Sequence, residues 1–356
     1  MKLSVLDLVP VRVGQTTGQA LTASRELVRT ADRLGFTRYW VAEHHNMPAV
    51  ASTTPGVELM YLGAGTERIR LGSGGVMLPN HAPLAIAEQF ALLAAVYGDR
   101  IDLGIGRAPG TDPITSAAMR GHLGEGHLVD RSGNRVDPVE NFPQHVMDVL
   151  ALLDAEGADV PLMNDRKHNL RSTPVPTAKP TVWLLGSSGY SAQLAAMLGL
   201  PFVFAHHFAG KGTETGMQLY RDQFTPTEHG SEPRTFLTVN AVVADTQEEA
   251  QVLAEPNIYQ MAGLRIGRTP DFQRLAGSDV RSRMTDGDRA IAPKLTATWA
   301  IGDPATAAAR IREDAEKYGV DEIMIHPVAG AHPDDSLDRA PHRIRTLELL
   351  AAELLD

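Results

Sequence analysis

Five stretches of the chain carry side chains suited to chemistry. The first is Glu43-His44-His45. Histidine titrates near neutral pH and serves as a general base or a hydrogen-bond donor. The group points to proton transfer at His44 and ligand contact at His45, with Glu43 either orienting a histidine or pairing with an arginine. The plainer alternative is a histidine held in place by hydrogen bonds. The spacing is not that of the HExxH zinc motif. The second stretch runs Gly72-Ser73-Gly74-Gly75-Val76-Met77-Leu78-Pro79-Asn80-His81. Glycines inside an apolar run mark a bulge or a close approach by another group. A flat ring lying on the backbone would need such clearance, whereas a bulge in a barrel wall would need no ligand. The third, Gly104-Ile105-Gly106-Arg107-Ala108-Pro109-Gly110, sets one arginine among small residues. Its planar fork suits a phosphate or an anionic ring edge, or an ion pair with Glu43. The fourth, Leu185-Gly186-Ser187-Ser188-Gly189-Tyr190-Ser191, leads from an apolar run into a helical one. Backbone N–H groups at a helix start, with serine hydroxyls beside them, make a phosphate site, although serine is also an ordinary helix cap. The fifth is His206-His207, which suits substrate contact or a polar rim, and His81 joins the candidates for substrate contact. Trp299 and Met77 suit either the core or a pocket wall.

These stretches must be positioned by the elements between them. Apolar runs suited to strands occur at Lys2–Val9, Arg38–Ala42, Ile69–Val76, Arg100–Ile105, Val182–Leu185, Phe202–Ala205, Phe236–Ala244 and Glu322–His326. Amphipathic or alanine-rich runs suited to helices occur at Gln19–Leu34, Pro55–Gly65, Pro83–Tyr97, Val139–Leu153, Ser188–Leu198, Gln247–Gly263, Pro304–Tyr318 and Ser336–Leu355. Strands alternating with helices imply parallel βαβ units. Helix-to-strand junctions stop at glycine (Gly35, Gly98, Gly199 and Gly319), which favours short turns at one end. Longer segments follow the strands: Ala108–Asp137, Gly157–Pro180 and Leu264–Pro293. The expectation is a single (β/α)₈ TIM barrel over residues 1–356, with insertions after strands 4, 5 and 7. Residues just after each strand then line the active face, and all five stretches lie there.

Bulk properties narrow the function. The net charge of −10 argues against nucleic acid or an anionic membrane as partner. The absence of cysteine removes disulfides, thiolate metal sites and cysteine nucleophiles. The N-terminal run MKLSVLDLVPVRVG is too short and interrupted for a signal peptide, so the cytoplasm is the expected compartment.

Taken in order, the strand ends resemble the luciferase-like flavin-dependent monooxygenases. The resemblance rests on Tyr39–His45, Gly72–Pro79, Arg100–Arg107, Gly186–Gly189, Ile301-Gly302-Asp303-Pro304 and Gly319–Glu322, which together span most of the chain. It implies a barrel with an insertion lid, a homodimer, and reduced FMN (FMNH₂) reacting with O₂ through a flavin C4a-hydroperoxide. The substrate would be a small aldehyde- or ketone-like molecule. By the same resemblance His44 is the catalytic histidine. Gly74 and Gly75, next to Ser73, form a cis peptide under the flavin ring. Arg107, Ser187 and Ser188 contact the flavin phosphate within the turn that begins at Gly186, and Tyr190 adds a hydroxyl. Gly106 replaces a reactive cysteine of some members. The chain shows no NAD(P)H fingerprint, which implies a separate NAD(P)H:flavin reductase as partner. The alternatives are a hydride-transferring dehydrogenase or reductase that uses the deazaflavin F420, a metal-dependent barrel hydrolase built on His44, His45 and His81, and a non-catalytic flavin binder.

Overall fold

The computed structural model describes residues 1–121, 139–161, 166–210, 212–268 and 271–355. Residues 122–137 of the first expected insertion, 162–165 of the second and 269–270 of the third lie outside the described residues.

The described strands are β1 (Lys2–Asp7), β2 (Arg38–Val41), β3 (Arg70–Met77), β4 (Ile101–Gly106), β5 (Ala158–Pro161), β6 (Lys167–Leu170), β7 (Thr181–Gly186), β8 (Phe202–Phe204), β9 (Thr235–Val243), β10 (Ala300–Gly302) and β11 (Glu322–Pro327). Parallel pairings run β1–β2–β3–β4–β7–β8–β9–β11 and return to β1. This ring of eight is a closed (β/α)₈ barrel with helices between its strands.

Three details depart from the sequence reading. Beyond the expected eight strands, β10 pairs with the end of β9, Ala300 opposite Ala241. The short β8 reaches only Thr235–Leu237 of β9. That leaves the later backbone groups of β9 without a partner on that side, and β10 supplies one. The second insertion carries an antiparallel hairpin, β5–β6. The last helix begins at Pro341, not Ser336. The carbonyls of Asp335, Ser336 and Arg339 accept hydrogen bonds from the Arg12 guanidinium, and that of Leu337 accepts one from Gln15. The segment is held as a loop.

Successive strand residues face opposite sides. The barrel interior is therefore filled in layers by every second residue. At the N-terminal end Arg38 donates to Glu322 (2.6 and 3.0 Å) and to Asp102 (2.7 Å), while Arg70 donates to Asp102 and Ser4 to Glu322. Removing one partner of such a buried network costs about 3–5 kcal/mol. Above it lie Leu6, Trp40, Trp183, Val203, Phe236 and Met324. The rings of Trp40, Trp183 and Phe236 meet with centroids 5.1–5.7 Å apart. The alternate residues, such as Val5, Tyr39, Leu103, Leu184, Leu237 and Ile323, pack outward against the helices.

Candidate active site

The third interior layer is the site. On β2 the inward series Arg38, Trp40, Ala42 continues to His44, while Glu43 and His45 turn the other way. The His44 N–H is fixed by the Ser52 carbonyl at 2.9 Å. Ser52 is itself fixed by the buried Glu58, whose carboxylate also accepts from the N–H groups of Thr53 and Thr54. The His44 Nδ1 is buried and has no hydrogen-bond partner among the described residues. Burial lowers the pKa of His44, against the pull of Glu43, so the ring is neutral at pH 7.

The paired histidine has a different task. Glu43 Oε1 accepts from His45 (2.9 Å) and His81 (2.7 Å), and its Oε2 accepts from the Met77 N–H (2.9 Å). Burial opposes the charge on Glu43, but these three donors outweigh it and hold the carboxyl at about 2. Glu43 thus ties the end of β2 to the end of β3. Thr111 donates to the His45 carbonyl, and Asn80 to the Pro109 carbonyl, so the start of the first insertion lies over this knot. His45 and His81 each commit Nε2 to Glu43.

Next to β2, the wall formed by β3 and β4 is rich in glycine. Its inward positions include Gly72, Gly74, Gly75, Gly104 and Gly106, with Asp102 below and Met77 beside Gly106. The Gly74–Gly75 peptide bond is cis, and the register with β4 shifts there. A Cβ on Gly104 would lie 2.1 Å from the Ser73 carbonyl oxygen, and one on Gly75 2.8 Å from the Gly104 carbonyl oxygen. At these positions the clearance is taken up by the chain itself. At Gly106 the nearest atom would be the flexible Met77 Sδ at 3.0 Å. Ser73 is fully buried and donates to the Gly104 carbonyl at 2.8 Å, so its hydroxyl is spent on the chain.

At the rim, Arg107 follows β4 and Gly186 ends the adjacent β7. The Arg107 guanidinium lies 4.4 Å from the centre of the Tyr190 ring. It has no carboxylate partner among the described residues, and Glu43 is engaged elsewhere. The alternative of an Arg107–Glu43 ion pair is therefore set aside. Ser187 and Ser188 are exposed. Ser188 occupies the cap position of the helix Gly189–Leu198 without a side-chain cap bond. Its hydroxyl has no hydrogen-bond partner among the described residues.

The pair on β8 also divides. His206 is buried, bonded to Thr213 at 2.8 Å and packed edge-on against Tyr318, away from the other candidates. His207 faces inward and meets a residue the sequence reading passed over, His326 at the end of β11, with ring centres 5.9 Å apart. The pKa of His207 is lowered to about 4 by burial, then by His206 and by His44. Asn240 of β9, opposite His326 in register, bonds both residues. Each is legible in hindsight, because His326 follows the inward Met324 by two residues, as Asn240 follows Thr238. Trp299 belongs to a satellite core with Val242 and Leu253.

Among the described residues no group of three His, Asp or Glu could hold a metal ion. None of their helices is long and apolar enough to cross a membrane. The profile of the luciferase-like monooxygenase family matches residues 1–322. The chain belongs to this family. The metal-hydrolase alternative is thereby overturned. A luciferase-like monooxygenase of Escherichia coli is 38% identical over 327 residues, 91% of this chain and 90% of its own. The Bacillus subtilis protein YvbT is 36% identical over 349 residues, covering 98% and 95%. Among solved structures, apo-MsnO8 superposes with a TM-score of 0.81 at 31% identity, covering 99% and 98%. Two solved structures of lower identity share the fold. They are the oxygenating constituent of 3,6-diketocamphane monooxygenase from Pseudomonas putida in complex with FMN (TM-score 0.74, 17%) and a coenzyme F420-dependent tetrahydromethanopterin reductase from Methanopyrus kandleri (0.65, 15%).

Proposed function

We propose that this chain is the oxygenase of a two-component system, taking reduced FMN from a separate NAD(P)H:flavin reductase and oxidising a small aldehyde- or ketone-like substrate with O₂. The observation that carries the reading is the barrel mouth itself. Inward glycines of β3 and β4 share the barrel mouth with buried nitrogens of His44 and His207 that have no hydrogen-bond partner among the described residues. An arginine without a carboxylate partner among the described residues and an uncapped helix start stand at its rim. A flat, phosphorylated cofactor fits that set. The FMN complex of the diketocamphane enzyme supports it by analogy.

Arg107 and the hydroxyls of Ser187, Ser188 and Tyr190 would hold the phosphate, with the N–H groups of Gly189–Leu198 behind it. The backbone of Ser73, Gly74 and Gly75, with Gly106 beside it, would support the ring. When bound, reduced FMN supplies the electrons that activate O₂ for transfer of one oxygen atom to the substrate. The protein's own part is to exclude water and to manage one proton. His44, neutral at pH 7, accepts or returns it at Nδ1. His207 completes the polar side facing the substrate, His45 and His81 brace the rim behind it through Glu43, and His206 serves the scaffold.

The whole chain acts as one domain, set in the cytoplasm, and pairs with a second copy. Helix Pro83–Tyr97 carries one charged residue, Glu88, yet exposes Leu92 and Val96. The neighbouring helix Pro55–Leu62 exposes Val57, Met60 and Tyr61. Apolar faces of this kind mark an interface.

Anaerobic titration with FMNH₂ and with reduced F420, followed by admission of O₂, tests the proposal. Saturable binding of FMNH₂ and O₂ consumption support it. Binding of F420 alone, with no reaction with O₂, would transfer the chain to the hydride-transferring branch.

A further inference from the structure

Asn240 determines the protonation pattern of His326. Its Nδ2 donates to the His207 carbonyl at 2.9 Å. The reversed amide would set two oxygens against each other, so the orientation is fixed. Oδ1 therefore faces His326 Nδ1 at 2.8 Å, and that contact requires a hydrogen on Nδ1. In the neutral ring the lone pair is then on Nε2, which has no protein partner among the described residues. The groups that face His326 keep the ring neutral. Burial, with His207, Arg343 and His44, opposes a proton on it, and Asp7 pulls weakly the other way.

We infer that His326 Nε2 is a second proton-accepting atom of the barrel mouth, opposite the glycine wall, and that Asn240 is the positioning residue that makes it so. The inference rests on the reading of that mouth as the cofactor and substrate site. It assigns the site a substrate that offers an O–H or N–H near the reacting carbon. That bond's proton moves to Nε2 while its electron pair stays on the substrate atom. The ring becomes an imidazolium whose Nδ1–H is still held by Asn240. His44 and His326 enter from β2 and β11, so protons can be handled at two points of one reaction.

The first test needs no cofactor. In the full chain with ¹⁵N-labelled histidine, long-range ¹H–¹⁵N spectra at pH 7.5 report which ring nitrogen carries the hydrogen, with His326 assigned from His326→Gln. The expected pattern is protonated Nδ1 and bare Nε2. Protonated Nε2 overturns the inference. Asn240→Asp should raise the titration midpoint of His326 by about one to three units, as an added carboxylate does. Asn240→Leu should instead give a mixture of tautomers, and an unchanged pattern in both variants removes Asn240 from the role. The second test is carbethoxylation of His326 by diethyl pyrocarbonate, followed by peptide mass. Reduced FMN under anaerobic conditions should slow it about tenfold at ten times the dissociation constant. If FMN binds and His326 is not protected, His326 lies outside the site while the functional reading stands. If neither reduced FMN nor reduced F420 binds, the functional reading falls and the role of His326 falls with it, whatever the tautomer.

Discussion

Adjacent residues of the same type acquire different work here because the backbone alternates. His44 keeps a bare nitrogen inside the barrel, while His45 spends its Nε2 on Glu43. His44→Ala is expected to leave the affinity for FMNH₂ within a few-fold of the parent and to slow turnover by roughly 10²-fold or more. Titration and steady-state oxygen uptake measure the two quantities. A collapse of affinity with normal turnover of the loaded enzyme would assign His44 to binding instead. Arg107 makes the opposite case, with a guanidinium over Tyr190 and no carboxylate partner among the described residues. Arg107→Ala should weaken FMN more than riboflavin, because only FMN carries the phosphate that a charge-assisted fork recognises. Equal losses for the two ligands would argue against the phosphate assignment.

At the scale of elements, β3 and β4 can form this wall only as glycine strands. A methyl group at Gly104 would collide with the Ser73 carbonyl oxygen, which belongs to the backbone and cannot yield. Gly104→Ala is expected to cost about 3 kcal/mol or more, the upper range for overpacking. At Gly106 the obstacle is the mobile Met77 thioether, so Gly106→Ala should fold almost as the parent does while weakening the flavin. Urea unfolding and flavin titration of both variants separate a packing demand from a ligand demand. If Gly106→Ala proves the more destabilised, the wall has been misread.

For the whole molecule, two properties follow from groups far apart in sequence. The exposed apolar faces of Pro55–Leu62 and Pro83–Tyr97 should be covered by a second copy. Sedimentation equilibrium is expected to give a dimer, and Val57→Glu with Leu92→Glu to shift it towards monomer without unfolding. A parent chain that sediments as a monomer refutes the pairing. The second property is sensitivity to acid. Burial lowers the pKa values of His44, His206, His207 and His326, His207 to about 4. Below about pH 6.5 the unfolded chain takes up protons that the folded chain refuses, so stability is full above that pH and falls as pH drops towards 4. His207 contributes a slope of at most about 1.4 kcal/mol per pH unit in that window, and the other three act in the same direction. Loss of charge on Glu43, whose carboxyl titrates at about 2, adds to the fall only below about pH 4.5. Unfolding midpoints at pH 7.5, 6 and 5 should decline, and less steeply in His207→Gln. A flat profile would show that these rings are not held neutral.

The sequence by itself determined the barrel, the order of the strand ends, the family and the strand-end positions of the candidates. These are written in local patterns: period-two apolar runs, glycine stops after helices, small residues before an arginine. Even the ends of the inward series, Trp40–Ala42–His44 and Met324–His326, could be counted along the chain. Only the tertiary structure decided which candidates converge. The two strands that carry Asn240 and His326 are about eighty residues apart, and their register comes from barrel closure, which no local pattern encodes. The same closure left Ser188 uncapped, tied His45 and His81 to Glu43, and called β10 into being to serve a strand whose neighbour was too short. Side-chain type is a property of the chain. The availability of a nitrogen or a hydroxyl for chemistry depends on what else lies within three ångströms of it, and that is decided by packing.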